Sequence, residues 1–345
     1  MALEFHTAEP QDVERLAEAL IEAFGVPPDA DCVRRELLQW KYFEPGPEWP
    51  ASRSYVLLKD GVIKAHCGVW PMNLEFHGDT LSCICFADWT SARELPGVGV
   101  VLKRKLMKLA DLALVIGGSP DTRAVVPRIG FKEVGRVSTF VTVVRPWRQH
   151  ATRPREALPK AAARLLRNSV WSLGRKDRVP EGWRARRLEV FDARIKVPGV
   201  PACPTPKRSA EYLNYWLRLP VAEISGFSIV HRDKPVGYFL LTRVKGQTRI
   251  ADVRLWTGKE EDWCFAYGLA TQEARADSET CEILAIASTP FAEHALRANG
   301  YRDRGSEPIY LYDPHQRLAH APEIFLNLID GDGAYLYDAD HPFSS

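Results

Sequence analysis

The first stretch with legible chemistry is Pro96-Gly97-Val98-Gly99-Val100. It lies between a strand-like run at 81–89 and a helical pattern at 98–112. A strand, a glycine turn and a helix set free backbone N–H groups at the positive end of a helix dipole. Such a place binds phosphate without basic side chains. Gly97 and Gly99 lack Cβ atoms, so a pyrophosphate can come close to the main chain. A ligand-free tight turn is the other reading of so short a signal. The dinucleotide pattern G-x-G-x-x-G is not completed, and no P-loop Lys-Ser/Thr follows.

Downstream, Ser119-Pro120 opens a short helical run that ends at Ile129-Gly130-Phe131, before a strand at 138–144. The same ending recurs as Thr289-Pro290, Asn299-Gly300-Tyr301 and a strand at 308–312. Upstream of the second copy the chain reads Lys259-Glu260-Glu261-Asp262, without glycines. A duplicated fold with one cofactor-competent half follows from this.

The elements that must position the loop can be read by period. A strand at 3–7 precedes a helix from Pro10, with Val13, Leu16, Ala17, Leu20 and Ile21 as its apolar stripe. Gly25-Val26-Pro27-Pro28 ends that helix, and a second spans 31–42. Residues 54–58 and 62–69 form a hairpin around Asp60-Gly61. A short buried strand occupies 113–116. The second half repeats the order with a helix at 209–217, hairpin strands at 226–230 and 236–242, a strand at 248–256, a helix at 261–276 and a strand at 282–287. Tyr212-Leu213-Asn214-Tyr215-Trp216 echoes Leu37-Leu38-Gln39-Trp40-Lys41-Tyr42.

Between the halves lies a basic connector holding Arg148, Arg153, Arg155, Lys160, Arg164, Arg167, Arg175, Lys176 and Arg178. Leu158, Ala162, Leu165, Leu166 and Ser169 would line one face of a helix there. That face either packs on a domain or, with Trp171, meets a membrane surface or polyanion. The tail Ile329-Asp330-Gly331-Asp332-Gly333 reads as a turn between two short strands, with too few carboxylates for a calcium loop.

Composition narrows the class. The chain of 345 residues is 46% hydrophobic with a net charge of +2, which fits a soluble globular protein of two domains and gives no general pull toward nucleic acid. No apolar run is long enough to cross a bilayer, and the N-terminus lacks signal-peptide features. The seven cysteines show neither zinc nor disulfide spacing. Cys83-Ile84-Cys85 reads as two buried thiols on one face of a strand, in a reducing cytoplasm. No Ser-His-Asp order or nucleophile elbow occurs. His66 and His77 flank the hairpin and read as satisfied or exposed side chains.

Residues 1–145 resemble the GNAT superfamily of N-acyltransferases in element order and in the segment Glu94-Leu95-Pro96-Gly97-Val98-Gly99. Ser119-Pro120 and Gly130-Phe131 fall at the spacing of the family's Asn-Pro and Gly-Phe. Residues 180–313 are similar to a second, degenerate copy. The resemblance implies a mixed α/β sheet with two tandem GNAT-like domains, divided as 1–147, a basic linker helix at 148–180, and 181–345. It implies acetyl-CoA or another acyl-CoA as co-substrate, no metal, and a groove between the strands at 81–89 and 113–116. In that groove the Trp89 backbone N–H would polarise the thioester carbonyl. Gly97, Val98, Gly99 and Val100 would hold the pyrophosphate. Ser119 would contact cofactor or cap its helix. An amine must be neutral to attack, so a base is needed; Asp88 and Glu75 are the candidate carboxylates.

Two departures bear on activity. Glu94 replaces the family's Gln or Arg, leaving Arg93 as the compensating cation. Val126 stands where a proton-donating Tyr is common. The expected function is N-acyl transfer to a small-molecule amine in a ternary complex. A non-catalytic CoA-binding scaffold and an aminoacyl-tRNA-dependent transferase are the alternatives, the last supported only by the basic connector. Acceptor, acyl length and oligomeric state are not encoded legibly.

Overall fold

In the computed structural model, residues 3–153, 157–173, 179–192, 203–256, 259–321 and 323–345 are described. Arg155, Arg175, Lys176 and Arg178 of the basic connector lie outside them. The first half runs β1 (Glu4–Thr7), α1 (Val13–Phe24), α2 (Arg35–Leu38), β2 (Ser54–Lys59), β3 (Val62–Phe76), β4 (Asp79–Ser91), α3 (Val98–Leu106), β5 (Leu112–Ile116), α4 (Pro120–Val125) and β6 (Lys132–Val143). Two connector helices follow, α5 (Pro146–Thr152) and α6 (Leu158–Leu173). The second half holds β7 (Trp183–Leu188), β8 (Thr205–Pro206), α7 (Ala210–Trp216), β9 (Glu223–His231), β10 (Lys234–Val244) and β11 (Gln247–Leu255). It ends with α8 (Glu260–Ala276), β12 (Glu282–Ala287), α9 (Pro290–Ala298) and β13 (Arg302–Tyr312).

Among the described residues all thirteen strands belong to one mixed sheet, in the order β1-β2-β3-β4-β5-β13-β6-β12-β11-β10-β9-β7, with β8 beside β3. Each half contributes an antiparallel meander and one parallel pair. β4 and β5 pair in parallel at only three positions, Cys83↔Leu112, Ile84↔Ala113 and Cys85↔Leu114. β11 and β12 do the same at Gln247↔Glu282, Thr248↔Ile283 and Arg249↔Leu284. β4 continues to Ser91 and β11 to Leu255, so each parallel pair opens into a gap beyond its third contact.

The last strand of each half belongs to the other half's sheet. β13 pairs with β5 from Ile309↔Ile116 to Tyr312↔Ala113. β6 pairs with β12 from Glu282↔Val143 to Ala287↔Ser138. The two exchanged strands meet at the centre. We propose the division 1–147, 148–180 and 181–345 as one of chain order only, because in space the halves share these strands.

The alternating patterns produce the elements expected of them, but β3 runs on to Phe76, β6 and β13 begin six residues early at Lys132 and Arg302, and four further differences stand out. The helix foreseen over 31–42 is a 3-10 turn (Asp31–Val33), then α2, then a π turn (Gln39–Phe43). α3 stops at Leu106 rather than 112. The tail forms two 3-10 turns, Leu328–Asp330 and Asp332–Ala334, instead of strands. α6 turns its large apolar residues outward: Leu158 and Leu166 are 83% and 69% exposed, whereas Asn168 is buried.

Below the sheet a core of Trp40, Trp70, Trp216, Tyr215 and Tyr335 joins the π turn, α7 and the tail. Trp40 stacks on Tyr215 at 4.7 Å, edge-on to Trp216 at 5.2 Å. Such ring pairs add about 0.5–1.5 kcal/mol each beyond burial. Cys83 and Cys85 lie in this core.

The exchange carries a test. Expressed alone, residues 1–147 leave β6 without its partners β12 and β13 and leave one edge of β5 open. That fragment should show no cooperative urea transition, and co-expression with 148–345 should recover a one-to-one complex. A cooperatively folded, monomeric 1–147 would contradict the shared sheet.

Candidate functional site

The gap between β4 and β5 opens beside a bulge. Gly68 pairs with Ala87 and His66 with Thr90, so β4 carries one extra residue there. Asp88 takes it up in the left-handed region at φ 48°, a conformation Asp tolerates better than most residues. A bulge re-aims the side chain it carries, and here Asp88 turns into a buried polar cluster.

The cluster is assembled by the π turn and the tail. Lys41 Nζ contacts Asp88 Oδ2 and Asp332 Oδ1, both at 2.8 Å. The Tyr42 hydroxyl also donates to Asp88 Oδ2, and Tyr335 Oη donates to Asp332 Oδ1 at 2.5 Å. Tyr42 reaches Asp88 by lying over Gly68, where a Cβ would sit 2.5 Å from the ring. Arg53 holds the π turn from below. Its guanidinium donates to the Lys41 carbonyl at 2.7 Å, the Trp40 carbonyl at 2.9 Å and the Glu44 carbonyl at 2.8 Å. π turns leave carbonyls misaligned, and these are the groups Arg53 satisfies.

Burial acts against both charges of the central pair, but attraction prevails. Desolvation would lower the Lys41 pKa; Asp332 and Asp88 instead hold it well above the usual lysine value. Desolvation would raise Asp88; Lys41, by charge and hydrogen bond, keeps its carboxyl below the usual range. Burial drives the Tyr42 and Tyr335 hydroxyls up, so both remain donors. One cation faces two carboxylates, a net excess of negative charge. The Asp88 and Asp332 side chains keep 12% and 23% exposure, so the cluster is reachable from solvent.

His66 locks the bulge. Its Nδ1 lies 2.9 Å from the Asp88 carbonyl, and its Nε2 lies 3.1 Å from Ser54 Oγ. A carbonyl only accepts, so Nδ1 carries the proton and Nε2 accepts from the hydroxyl. Burial lowers its pKa to about 4, against the pull of Asp88.

The second half repeats the arrangement with different residues. Asp252 stands three positions beyond the last β11–β12 pair, as Asp88 does beyond the last β4–β5 pair. Arg208 donates from Nε to Asp252 Oδ2 at 3.0 Å and from Nη2 to Asp330 Oδ1 at 2.7 Å. Tyr238 Oη donates to Asp252 Oδ2 at 2.6 Å. Both carboxylates here have fully buried side chains. The tail also closes this half's gap: Leu326 N–H donates to Ser288 Oγ beyond β12, and the Phe325 ring lies 4.5 Å from the Arg254 guanidinium of β11.

The glycine loop sits at the start of α3. Gly97 adopts φ +84°. The Val98 and Val100 N–H groups are spent inside the loop, on the Leu95 carbonyl at 3.2 Å and the Gly97 carbonyl at 3.0 Å. Among the described residues the Gly97 and Gly99 N–H groups meet no main-chain acceptor; Gly97 is exposed, whereas Gly99 is buried. Gly99 is needed for a second reason: a Cβ there would lie 2.9 Å from the Trp89 indole nitrogen. That indole donates to the Gly99 carbonyl at 3.0 Å and pins the loop to β4.

The remaining candidates separate. Arg93 and Glu94 line a surface cleft of about 400 Å3 with Lys64 and Ala19, and Glu94 is paired to Lys64 at 2.7 Å. Ser119 caps α4, accepting from the Thr122 N–H at 3.2 Å. Glu75 is not brought to Asp88. It pairs with Thr80 on β4 and Thr205 on β8, roughly 26 Å along the strands from the bulge at about 3.3 Å per residue. Val126 is buried in the core under α3. Lys41, Asp332, Tyr335 and Arg53 were missed as functional residues, although Trp40-Lys41-Tyr42 and the acidic-glycine tail stood out as sequence features. Lys103 was missed too. It is buried over the Trp89 ring at 3.9 Å and the Phe86 ring at 4.7 Å, and desolvation lowers its pKa to about 8. Among the described residues no group of three His, Cys, Asp or Glu could hold a metal ion.

No protein-family model matches the chain, and no curated protein matches it. Solved structures do. A protein from Enterococcus faecalis V583, described as of unknown function and a probable N-acyltransferase, is similar at 13% identity and TM-score 0.58, over 93% of this chain and 75% of its own. A GCN5-related N-acetyltransferase from Anabaena variabilis is similar at 13% identity and TM-score 0.55, over 90% and 72%. One from Kribbella flavida is similar at 14% identity and TM-score 0.50, over 90% and 71%.

Two tests follow from the clusters. Asp252→Asn strips a fully buried guanidinium of one of its two carboxylates and should cost about 3 kcal/mol, read as a lower urea midpoint; a neutral effect would remove the second cluster from the stability argument. His66 keeps its proton off in the folded chain, whereas the unfolded chain binds one near pH 6.5. Stability should therefore be intact above pH 6.5 and fall between 6.5 and 4, by on the order of 3 kcal/mol. His66→Gln, which keeps a donor and an acceptor, should flatten that slope in urea melts across this range.

Proposed function

On the GNAT fold that this chain carries, we propose that it is an acyl-CoA-dependent N-acyltransferase. It would pass an acyl group, acetyl or longer, to a primary amine of a small molecule or sugar by direct attack in a ternary complex. The observation that carries this reading is the combination of an opened β4–β5 gap, a bulge at Asp88 within it, and two unspent N–H groups at Gly97 and Gly99. The diphosphate of the co-substrate fits those N–H groups at the helix N-terminus. The thioester carbonyl fits the Trp89 backbone N–H. The acceptor enters beside Asp88, where surplus negative charge suits a protonated amine.

Asp88 holds rather than deprotonates. A carboxylate ion-paired to Lys41 is a weak base, so the ammonium proton leaves to solvent on the exposed side of Asp332. The neutral nitrogen then attacks the thioester carbon, the C–S bond breaks, the nitrogen sheds its second proton to solvent to leave the amide, and the thiolate takes up a proton from water. Glu75 has no part in this sequence because of its distance.

The second reading is a non-catalytic CoA-binding scaffold. It is favoured by the Asp88–Lys41 pairing and by Val126 at the usual proton donor's place. Binding of CoA without acylation of any amine across a broad acceptor screen would select it.

Titration calorimetry decides between binding and no binding. The wild-type chain should take up acetyl-CoA or a longer acyl-CoA. Gly97→Glu puts a carboxylate beside the diphosphate and should weaken uptake by at least about tenfold, with the fold retained by circular dichroism. If no acyl-CoA binds the wild type, the acyltransferase reading is lost.

A further inference from the structure

Helix α6 is inverted relative to an ordinary surface helix. It buries Asn168, whose amide donates to Gln149 Oε1 at 2.8 Å and to Ser345 Oγ at 3.3 Å. It exposes Leu158, Leu166, Val170 and Leu173, at 83%, 69%, 59% and 82%. Leu166, Val170 and Leu173 follow one another at helical spacing and so form a single stripe. Trp147, on the neighbouring α5, is 70% exposed. The four most exposed large apolar side chains among the described residues all lie on this helix pair.

We propose that α5 and α6 form a docking surface for an anionic lipid bilayer, with α6 lying in the headgroup plane and its leucine stripe in the acyl boundary. The charge pattern selects this occupant. α6 carries Lys160, Arg164 and Arg167 and no acidic residue. Burial, then the like charges of Arg304 and Arg164, lower the Arg167 pKa against the pull of Glu282, which puts three cations near one another on this side of the molecule. An apolar stripe flanked by cations is the pattern of helices that lie in a membrane interface. Nucleic acid would leave the leucines in water, and a second copy of the helix would bring like charges together. No described helix is long and apolar enough to cross a membrane, so the attachment is peripheral. The surface is independent of the acyl-transfer reading.

Vesicle sedimentation tests it with the full chain. Vesicles of about 30% phosphatidylglycerol in phosphatidylcholine should carry the protein down, and pure phosphatidylcholine should do so at least about tenfold less well. Raising salt from about 0.1 M to 0.5 M should weaken binding, because surface charge is then screened within a few ångström. Leu166→Glu with Val170→Glu should abolish sedimentation while leaving the thermal melt unchanged; Leu166→Ala with Val170→Ala serves as a milder pair, weakening it severalfold. Failure to sediment with anionic vesicles overturns the proposal. So does equal sedimentation of both variant pairs and wild type, or a wild-type dimer in ultracentrifugation that either pair dissolves.

Discussion

Two cations are each held under the sheet between one carboxylate from a bulged strand and one from the tail. Lys41 joins Asp88 to Asp332, and Arg208 joins Asp252 to Asp330. Removing such charges from water is costly, and a second carboxylate is what tips the balance toward keeping them. The two tail carboxylates are separated only by Gly331, so one short segment serves both halves. It passes between the π turn and α7 and carries Leu326, Leu328, Ile329 and Tyr335 into the shared core. The segment thus touches both carboxylate clusters and the aromatic floor.

The clusters differ in their contact with water, and that difference assigns roles. Around Arg208 the carboxylates are fully buried and the strand gap is closed by Phe325 and Leu326. Around Lys41 the carboxylates reach solvent, and the glycine loop stands at the neighbouring helix with two amides unspent. A duplicated framework has thus kept one half open and used the other as ballast for the tail. The Lys41 cluster is the one on the open side.

Element order was legible because apolar periodicity is local, and the strand and helix runs register it directly. Asp88 was legible for a similar reason, being adjacent in sequence to the strand position expected to face the ligand. Its partners were not, since Lys41 and Asp332 come from opposite ends of the chain and nothing in spacing links them. Glu75 misled because alternation reports the face of a strand but not the distance along it, and β3 runs on to Phe76. For α6 the sequence left open whether its apolar residues pack on a domain or face outward, because the asparagine network with Gln149 and Ser345 that fixes its rotation joins distant parts of the chain. Strand exchange had no sequence signal at all, because swapped and unswapped pairings satisfy the same pattern.

That exchange shapes the birth of the molecule. β5 leaves the ribosome with one edge bare and receives β13 only after about 190 more residues have been made, an interval on the order of 10–40 seconds at ordinary elongation rates. β6 waits in the same way for β12. During synthesis the nascent amino-terminal half therefore presents unpaired backbone that neighbouring polysomal chains could capture, and shielding it until termination falls to folding helpers rather than to the sequence itself.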